Sequence, residues 1–580
     1  MLNFIEIFCN FLSEKTKKDK SLIEKTISLS SKGEITSSIA FKIAKETNRK
    51  PEEIAEEIVN GQQNIFDYGI IKAENGYLNF YVNERWFFSS YEFKKKDQTI
   101  VIEGPSVNPN KPWHVGHLRN AVISASIANI LKEAGYQAIK IDYINDAGLQ
   151  VAESYYYYKK FGKTSNTGKF DVDIGLDYVK AHEFAQKEDS KKEIEKMMEK
   201  IEKENDKEFY EFIKNVVKAQ RETAKDYIKH DFIVYESHVM KVLYEKAIKT
   251  IMGLENVKMI ETGNLAGCVC LEIEKGTKNP YKVLIRKNKI PTYLCKDIVF
   301  HLWKTGKICC LNFAFNEYGT YESTLENGYN FYDVRNPIII NVVGEEQRLN
   351  QELLKECLVK MKILKEHEFK HLAYGLVRKN EEKFSGRKGT WIGYTADDLL
   401  NEGIKKIEKG DKRKIALAAI KYSFLKMNNK SPVNFDWEKA LSTEGDSGVY
   451  LLYSYKRAES VLKKYMEINS IQQEQLEKEL LNFENELKMN EKVYLNDEER
   501  NLMREIWFYP YYVNNASKNL EPSVIANYSF NLANLFNSFY EKNQIINSKE
   551  EKKRLLITRK FLETMRKCLW LLNIEPPEAI

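Results

Sequence analysis

A chain of 580 residues is long enough for two to four domains, each able to bury its own core. With 43% apolar and 30% charged residues it has the composition of a folded globular protein, which excludes a disordered or fibrous chain. A net charge of +6 excludes nucleic-acid binding by bulk charge alone, though it permits local basic faces.

The opening MLNFIEIFCNFL carries Glu6, lacks a basic leader and runs into charged residues rather than a cleavage site. It reads as an amphipathic helix, not a signal peptide. Residues 1 to about 95 read as a small α+β domain, with a helix over EEIAEEIVNG that Gly61 stops and a strand over Gly76–Val82. Lys94 to Lys96 form a linker. The strand Thr99–Ile102, a Pro/Asn/Gly loop, a helix from Leu118 stopped by Gly135, and a second strand Ala138–Ile144 make a βαβ unit. Such a unit implies a parallel sheet with a ligand site at the carboxyl ends of its strands.

From Ser154 to about Ile260 the pattern is helical and highly charged, as expected of a solvated insertion at about 155–260 in the sheet domain. Strands resume near Val283–Arg286 and at Ile338–Val343, where PIIINVVG is apolar enough to be buried on both faces. The segment Cys309–Asn336 between them is aromatic and irregular, without an assignable role. Residues 401–580 read as an all-α domain, leaving 96–400 as the sheet-bearing domain. No apolar run reaches membrane length. The eight cysteines lack paired CxxC spacing, so they read as reduced thiols rather than a zinc ribbon, and no resident metal is expected. A cytoplasmic protein that does not contact membrane is expected.

The strongest chemical signal is His114-Val115-Gly116-His117, after a strand and at the opening of a helix. Two imidazoles three residues apart share one face. Gly116 leaves room for a nucleotide to approach the backbone, and the helix N-terminus favours phosphate. Such a site can stabilise a pentacoordinate α-phosphate while a carboxylate displaces pyrophosphate. A second signal, Lys383-Phe384-Ser385-Gly386-Arg387-Lys388-Gly389, reads as a cationic, glycine-rich loop that can close on a triphosphate. In the helical region Tyr450, Tyr453 and Arg457 recur at i, i+3 and i+7. This stripe is suited to stacking splayed-out bases, or else to packing in a core.

The stretch VIEGPSVNPNKPWHVGHLRNAV resembles the HIGH signature of class I aminoacyl-tRNA synthetases, and within them the arginyl family. Glu103, Asn108, Lys111 and Leu118-Arg119 carry the marks of that branch, and Tyr143 to Gln150 resembles its next motif. Lys383 to Gly389 resembles its KMSKS loop variant. Phe435–Glu438, Glu444–Arg457 and the closing segment with Tyr528, Asn534, Phe536, Asn537 and Tyr540 resemble its DALR anticodon-binding domain.

The resemblance implies a Rossmann-type catalytic domain and an arginine–tRNA ligase that uses ATP with Mg2+. Its partners would be tRNA(Arg), L-arginine and ATP, and a monomer is expected. It implies catalytic roles for His114, His117, Lys111 and Lys383, with ATP contacts at Gly116, Ser385, Arg387 and Lys388. Arginine would meet Glu103, Asn108, Tyr293, Asp297 and Gln347, and tRNA would meet Tyr450, Tyr453 and Arg457. A permanent guanidinium wants carboxylates in a partly dry pocket, which suits this set. Asn350 and Ile580 stand where the family commonly has His and Met. Two other readings are a different class I synthetase, such as a cysteinyl enzyme, and a tRNA-binding paralogue without catalysis.

Overall fold

A computed structural model describes residues 2–30, 32–60, 64–65, 68–203, 206–273, 280–378, 392–490 and 493–579. Gly61, Ile580 and the whole loop carrying Lys383, Ser385, Arg387 and Lys388 lie outside the described residues. By compactness the chain divides into two units, Met1–Phe93 with Tyr450–Lys518 and Asn527–Leu569, and Lys94–Val449 with Asn519–Ala526 and Trp570–Ile580. The helices after residue 400 are therefore shared between the units.

The first unit holds an antiparallel five-stranded sheet, which includes Gly69–Glu74 and Tyr77–Val82. Leu78, Phe80 and Val82 point into its core, as the alternation in GYLNFYV requires. Arg500, on the helix Asp497–Asn519, donates to the buried Glu34 at 2.6 Å and to Glu84 at 3.1 Å.

The second unit is built on seven strands: β1 (Thr99–Glu103), β2 (Gln137–Ile144), β3 (Phe232–Tyr235), β4 (Asn312–Phe315), β5 (Tyr321–Thr324), β6 (Ile338–Gly344) and β7 (Phe369–Tyr374). Their order is β4-β5-β3-β2-β1-β6-β7, parallel throughout except for the β4–β5 hairpin. The chain reverses its direction of winding between β1 and β6, so the ligand crevice falls at the carboxyl ends of those two strands. Helix α1 (Val115–Glu133) connects β1 to β2 and is buried along most of its length, which explains its small polar residues Ser124 and Ser126.

The stretch expected to be helical over 155–260 is interrupted. Helix α2 (Lys207–Ala224) is followed by β3, a strand of the main sheet, and then by α3 (Glu236–Met252). All four residues of β3 are buried, and a strand this short offers too few residues for a period to show. The Val283–Arg286 region forms a strand, Tyr281–Ile285, but in a separate three-stranded antiparallel sheet with Val257–Met259 and Val269–Glu272. The segment Cys309–Asn336, left without a role by its sequence, supplies the β4–β5 edge of the main sheet.

Candidate functional site

The β1–α1 loop delivers His114 and His117 to the helix N-terminus, where their rings stack with centroids 3.6 Å apart. The Nδ1 of His114 accepts from the Gly116 amide at 3.2 Å, and the Nδ1 of His117 accepts from the His114 amide at 3.3 Å. Each bond fixes the tautomer and leaves the proton on Nε2. Burial, then the charge of Lys111, pushes the His114 pKa down to about 3. Burial, then His114 and Lys111, holds His117 well below the usual histidine range. Both rings are therefore neutral Nε2–H donors at neutral pH, fitted to receive developing negative charge without adding a cation of their own. A Cβ on Gly116 would come within 3.0 Å of His114 Cε1, so glycine is what lets that ring lie against the backbone.

The loop is pinned from α2, where Gln220 Nε2 donates to the carbonyls of Asn108 at 3.0 Å and Lys111 at 2.7 Å. On its other side the main chain of Trp113–Val115 pairs with Tyr394–Ala396, through Val115 N to Tyr394 O at 3.3 Å and Ala396 N to Trp113 O at 2.8 Å. Residues 392–396 are thus fastened to the histidine motif itself.

The second half of the site is a nest of carboxylates around helix α4 (Tyr293–Lys304). Glu103, at the end of β1, accepts from the fully buried Lys304 at 2.5 Å. Lys304 also donates to Asn341 of β6 at 3.1 Å, and Asn341 donates to Gln351 at 3.0 Å. Glu236, opening α3, is buried and pairs with Lys296 at 2.8 Å. Of the three carboxylates Glu103, Glu236 and Asp297, the last is the one without its own ammonium partner among the described residues. Burial and the charges of Glu103 and Glu236 push the Asp297 pKa up to about 7. Tyr143, on β2, stacks on Phe300 at 4.0 Å. Its buried hydroxyl has no hydrogen-bond partner among the described residues, and Glu236 and Asp297 add to burial in raising its pKa. A nest holding more carboxylate than ammonium, with an unused hydroxyl beside it, fits a permanent side-chain cation.

The structure brings Glu103 and Asp297 together, and Tyr293 stands one turn before Asp297 with its ring 62% exposed. Asn108 reaches Gln150 at 3.4 Å. Gln347 lies exposed on a 3-10 turn and accepts from Asn350 at 2.8 Å, while Gln351 joins the pocket network. Glu236, Lys296, Lys304 and Asn341 were not assigned to the pocket from sequence, and Tyr143 was named only as the start of a family motif. One of them left a trace there: Lys304 follows Tyr293, Asp297 and His301 at helical spacing on a helix whose remaining residues, apart from Lys296, are apolar, so the four share a face.

Replacing Asp297 with Asn is expected to raise the arginine KM by the equivalent of about 1.5–3 kcal/mol, the range for a charge-assisted hydrogen bond. Because a bound guanidinium favours the ionised carboxyl, arginine affinity should rise as pH passes up through about 7 and fall below it. Steady-state kinetics across that window test both, and a flat pH profile with an unchanged KM removes Asp297 from the pocket.

The stripe on the helix Gly448–Asn469 is organised by side chains of its own unit. Tyr450 Oη donates to Asn534 at 2.8 Å and accepts from Asn537 at 2.9 Å. Arg457 donates to Asn537 at 2.7 Å, and its guanidinium lies 5.0 Å from both the Tyr453 and Tyr540 rings. Tyr453 is 42% exposed, while Tyr450 and Arg457 are half-buried. Tyr453→Ala should weaken tRNA use by roughly 1–3 kcal/mol, the worth of one base stacked on an aromatic ring. A variant that charges tRNA at the parental KM would show that no base stacks there.

A parallel sheet with its crevice at the switch point and an HxGH pair at the opening of the first crossover helix define the class I aminoacyl-tRNA synthetases. Residues 4–82 match the family of the arginyl tRNA synthetase N-terminal domain, 88–302 that of the class I (R) tRNA synthetase catalytic domain, and 451–580 that of the DALR anticodon binding domain. The chain is 32% identical to the arginine–tRNA ligase of Pyrococcus abyssi over 94% of each chain. The solved arginyl-tRNA synthetase of Thermus thermophilus superposes with a TM-score of 0.83 at 26% identity, covering 100% of this chain and 99% of that one. That of Plasmodium falciparum, at 18% identity and a TM-score of 0.73 over 100% and 98%, shares the fold. The chain belongs to the arginyl-tRNA synthetase family. Among the described residues no helix is long and apolar enough to cross a membrane.

Proposed function

We infer that this chain catalyses arginine–tRNA ligation: L-arginine and ATP give arginyl-adenylate and pyrophosphate, and the arginyl group then passes to the 3′ end of tRNA(Arg). The observation that carries the reading is the pocket of Glu103, Glu236 and Asp297, short of one cation, at the same sheet end as the neutral His114–His117 pair. In this reading Asp297, Glu103, Tyr293, Asn108 and Gln347 orient arginine. Its carboxylate attacks the α-phosphate, and the two Nε2–H groups stabilise the charge that develops there. Lys111 and Lys383, with Gly116, Ser385, Arg387 and Lys388, hold the triphosphate.

Mg2+ enters as the ATP complex. No cluster of metal-ligating side chains suited to a resident ion occurs among the described residues. We assign 1–95 to tRNA binding, 96–400 to catalysis and 401–580 to the anticodon, with Tyr450, Tyr453 and Arg457 facing it. We place the protein in the cytoplasm as a monomer.

ATP–pyrophosphate exchange with each amino acid, with and without tRNA, tests the reading. Exchange is expected with arginine only, and only when tRNA(Arg) is present. Full exchange with arginine and ATP alone would sink the tRNA requirement. Exchange with cysteine would point to another class I specificity, and none under any condition to a tRNA-binding paralogue.

A further inference from the structure

The eight cysteines divide by environment. Cys9, Cys268, Cys270, Cys295, Cys357 and Cys568 are buried, whereas Cys309 and Cys310 are both exposed. The exposed pair lies in the turn between α4 and β4, bracketed by Ile308 and Leu311, which are buried in the core of the sheet domain. The anchors fix the turn's backbone while both thiols face solvent. Cys310 Sγ donates to Cys309 Sγ at 2.7 Å, so the two sulfurs already lie within reach of one another. Lys246 of α3 places its Nζ 3.7 Å from Cys309 Sγ and 3.5 Å from the Cys309 carbonyl oxygen.

These contacts are not symmetric. The S–H of Cys310, then the ammonium of Lys246, hold the Cys309 thiol below its ordinary pKa, while the Cys310 thiol is raised. One sulfur is thereby suited to attack and the other to follow, because the thiolate is the nucleophile.

We propose that Cys309 and Cys310 form a reversible thiol–disulfide exchange site for small disulfides of the glutathione class. The Cys309 thiolate attacks one sulfur of the small disulfide, forming a mixed disulfide and releasing one thiolate. Cys310 loses its proton to that leaving thiolate and attacks Cys309 Sγ, expelling the second thiolate, which takes up a proton from solvent. The protein's two thiols are oxidised to one disulfide and the small disulfide is reduced to two thiols.

Adjacent Cα atoms lie about 3.8 Å apart, shorter than the roughly 4.4–6.8 Å of an unstrained bridge, so the product is easily reduced again. That property suits a reversible mark rather than a structural staple.

The full-length protein is incubated with glutathione disulfide, quenched with acid and followed by intact mass and peptide mapping. The wild type should lose two hydrogen atoms at the peptide spanning 309–310, and excess reduced glutathione should restore them. Cys310→Ser should stop at a single glutathione adduct on Cys309. Cys309→Ser should react about tenfold more slowly than Cys310→Ser, and Lys246→Met about threefold more slowly than wild type. A wild type that stays unmodified or only accumulates glutathione adducts overturns the proposal. So do equal rates for the two serine variants, or earlier reaction at any buried cysteine.

Discussion

Replacing Arg119 with methionine is expected to destabilise the sheet-bearing unit by about 4 kcal/mol, among the largest losses a single substitution in it can cause. Arg119 is fully buried on α1 and donates to four carbonyls: Gly375 at 2.5 Å, Ser431 at 2.7 Å, Asn429 at 3.1 Å and Asn428 at 3.2 Å. Burial pulls its pKa down to about 10, so it stays charged at neutral pH. The chain packs closely here, for a Cβ on Gly375 would meet the Lys430 carbonyl oxygen at 2.5 Å. Methionine fills the volume but takes the guanidinium from the Gly375 and Ser431 carbonyls. The Asn428 and Asn429 carbonyls keep the amides of Ser431 and Gly375 at 3.0 and 2.9 Å. Each buried orphan costs roughly 1–3 kcal/mol before relaxation. Lysine has three donors on a single nitrogen and cannot span the four acceptors, so Arg119→Lys should recover only part of the loss. Denaturant unfolding measures both variants. An Arg119→Met protein within about 1 kcal/mol of the parent would mean that water satisfies these carbonyls. The Leu-Arg that follows the second histidine would then mark the family for some reason other than stability.

That residue illustrates what the sequence could and could not disclose. Its presence beside the HxGH motif was visible, but its work was not, because all four acceptors lie more than 250 positions away in the chain. The β1–α1–β2 unit was legible because hydrophobic period changes from strand to helix within a short span and Gly135 ends the helix. Strand β6 was legible as a near-continuous apolar run broken by Asn341. Strand β3 was hidden among charged helices, and β4 and β5 form an edge hairpin with the exposed aromatic Phe315, which no core pattern disciplines. In the pocket Tyr293 and Asp297 share a helix face and could be read. Glu236 and Lys296 meet only through folding, and an ion pair between distant elements leaves no spacing to detect. Gln347 and Gln351 show the limit of motif reading: they sit four apart, and only coordinates tell which joins Asn341.

Lys111→Ala is expected to lower kcat by about tenfold or more while changing the ATP KM little, the pattern of a charge that acts in the transition state. The usual KMSKS loop presents two lysines to the triphosphate, and here the second lysine position is Gly386. Departure of pyrophosphate still requires compensating positive charge. The histidines cannot supply it, since burial keeps both of them neutral. Lys111 lies three residues before His114 on the loop that Gln220 holds by its carbonyl at 2.7 Å, and its charge is felt at both imidazoles. A cation near enough to depress two histidines is near enough to act on the phosphate we propose they contact. Its half-buried stem keeps water from screening it fully. Adding Gly386→Lys to Lys111→Ala should recover part of the lost kcat, because the same charge would then arrive from the other side of the triphosphate. Arg387 and Lys388 are the competing sources. Near-normal turnover in Lys111→Ala together with an inactive Arg387→Ala would place the compensating charge inside the loop and leave Lys111 only the task of keeping the two imidazoles neutral.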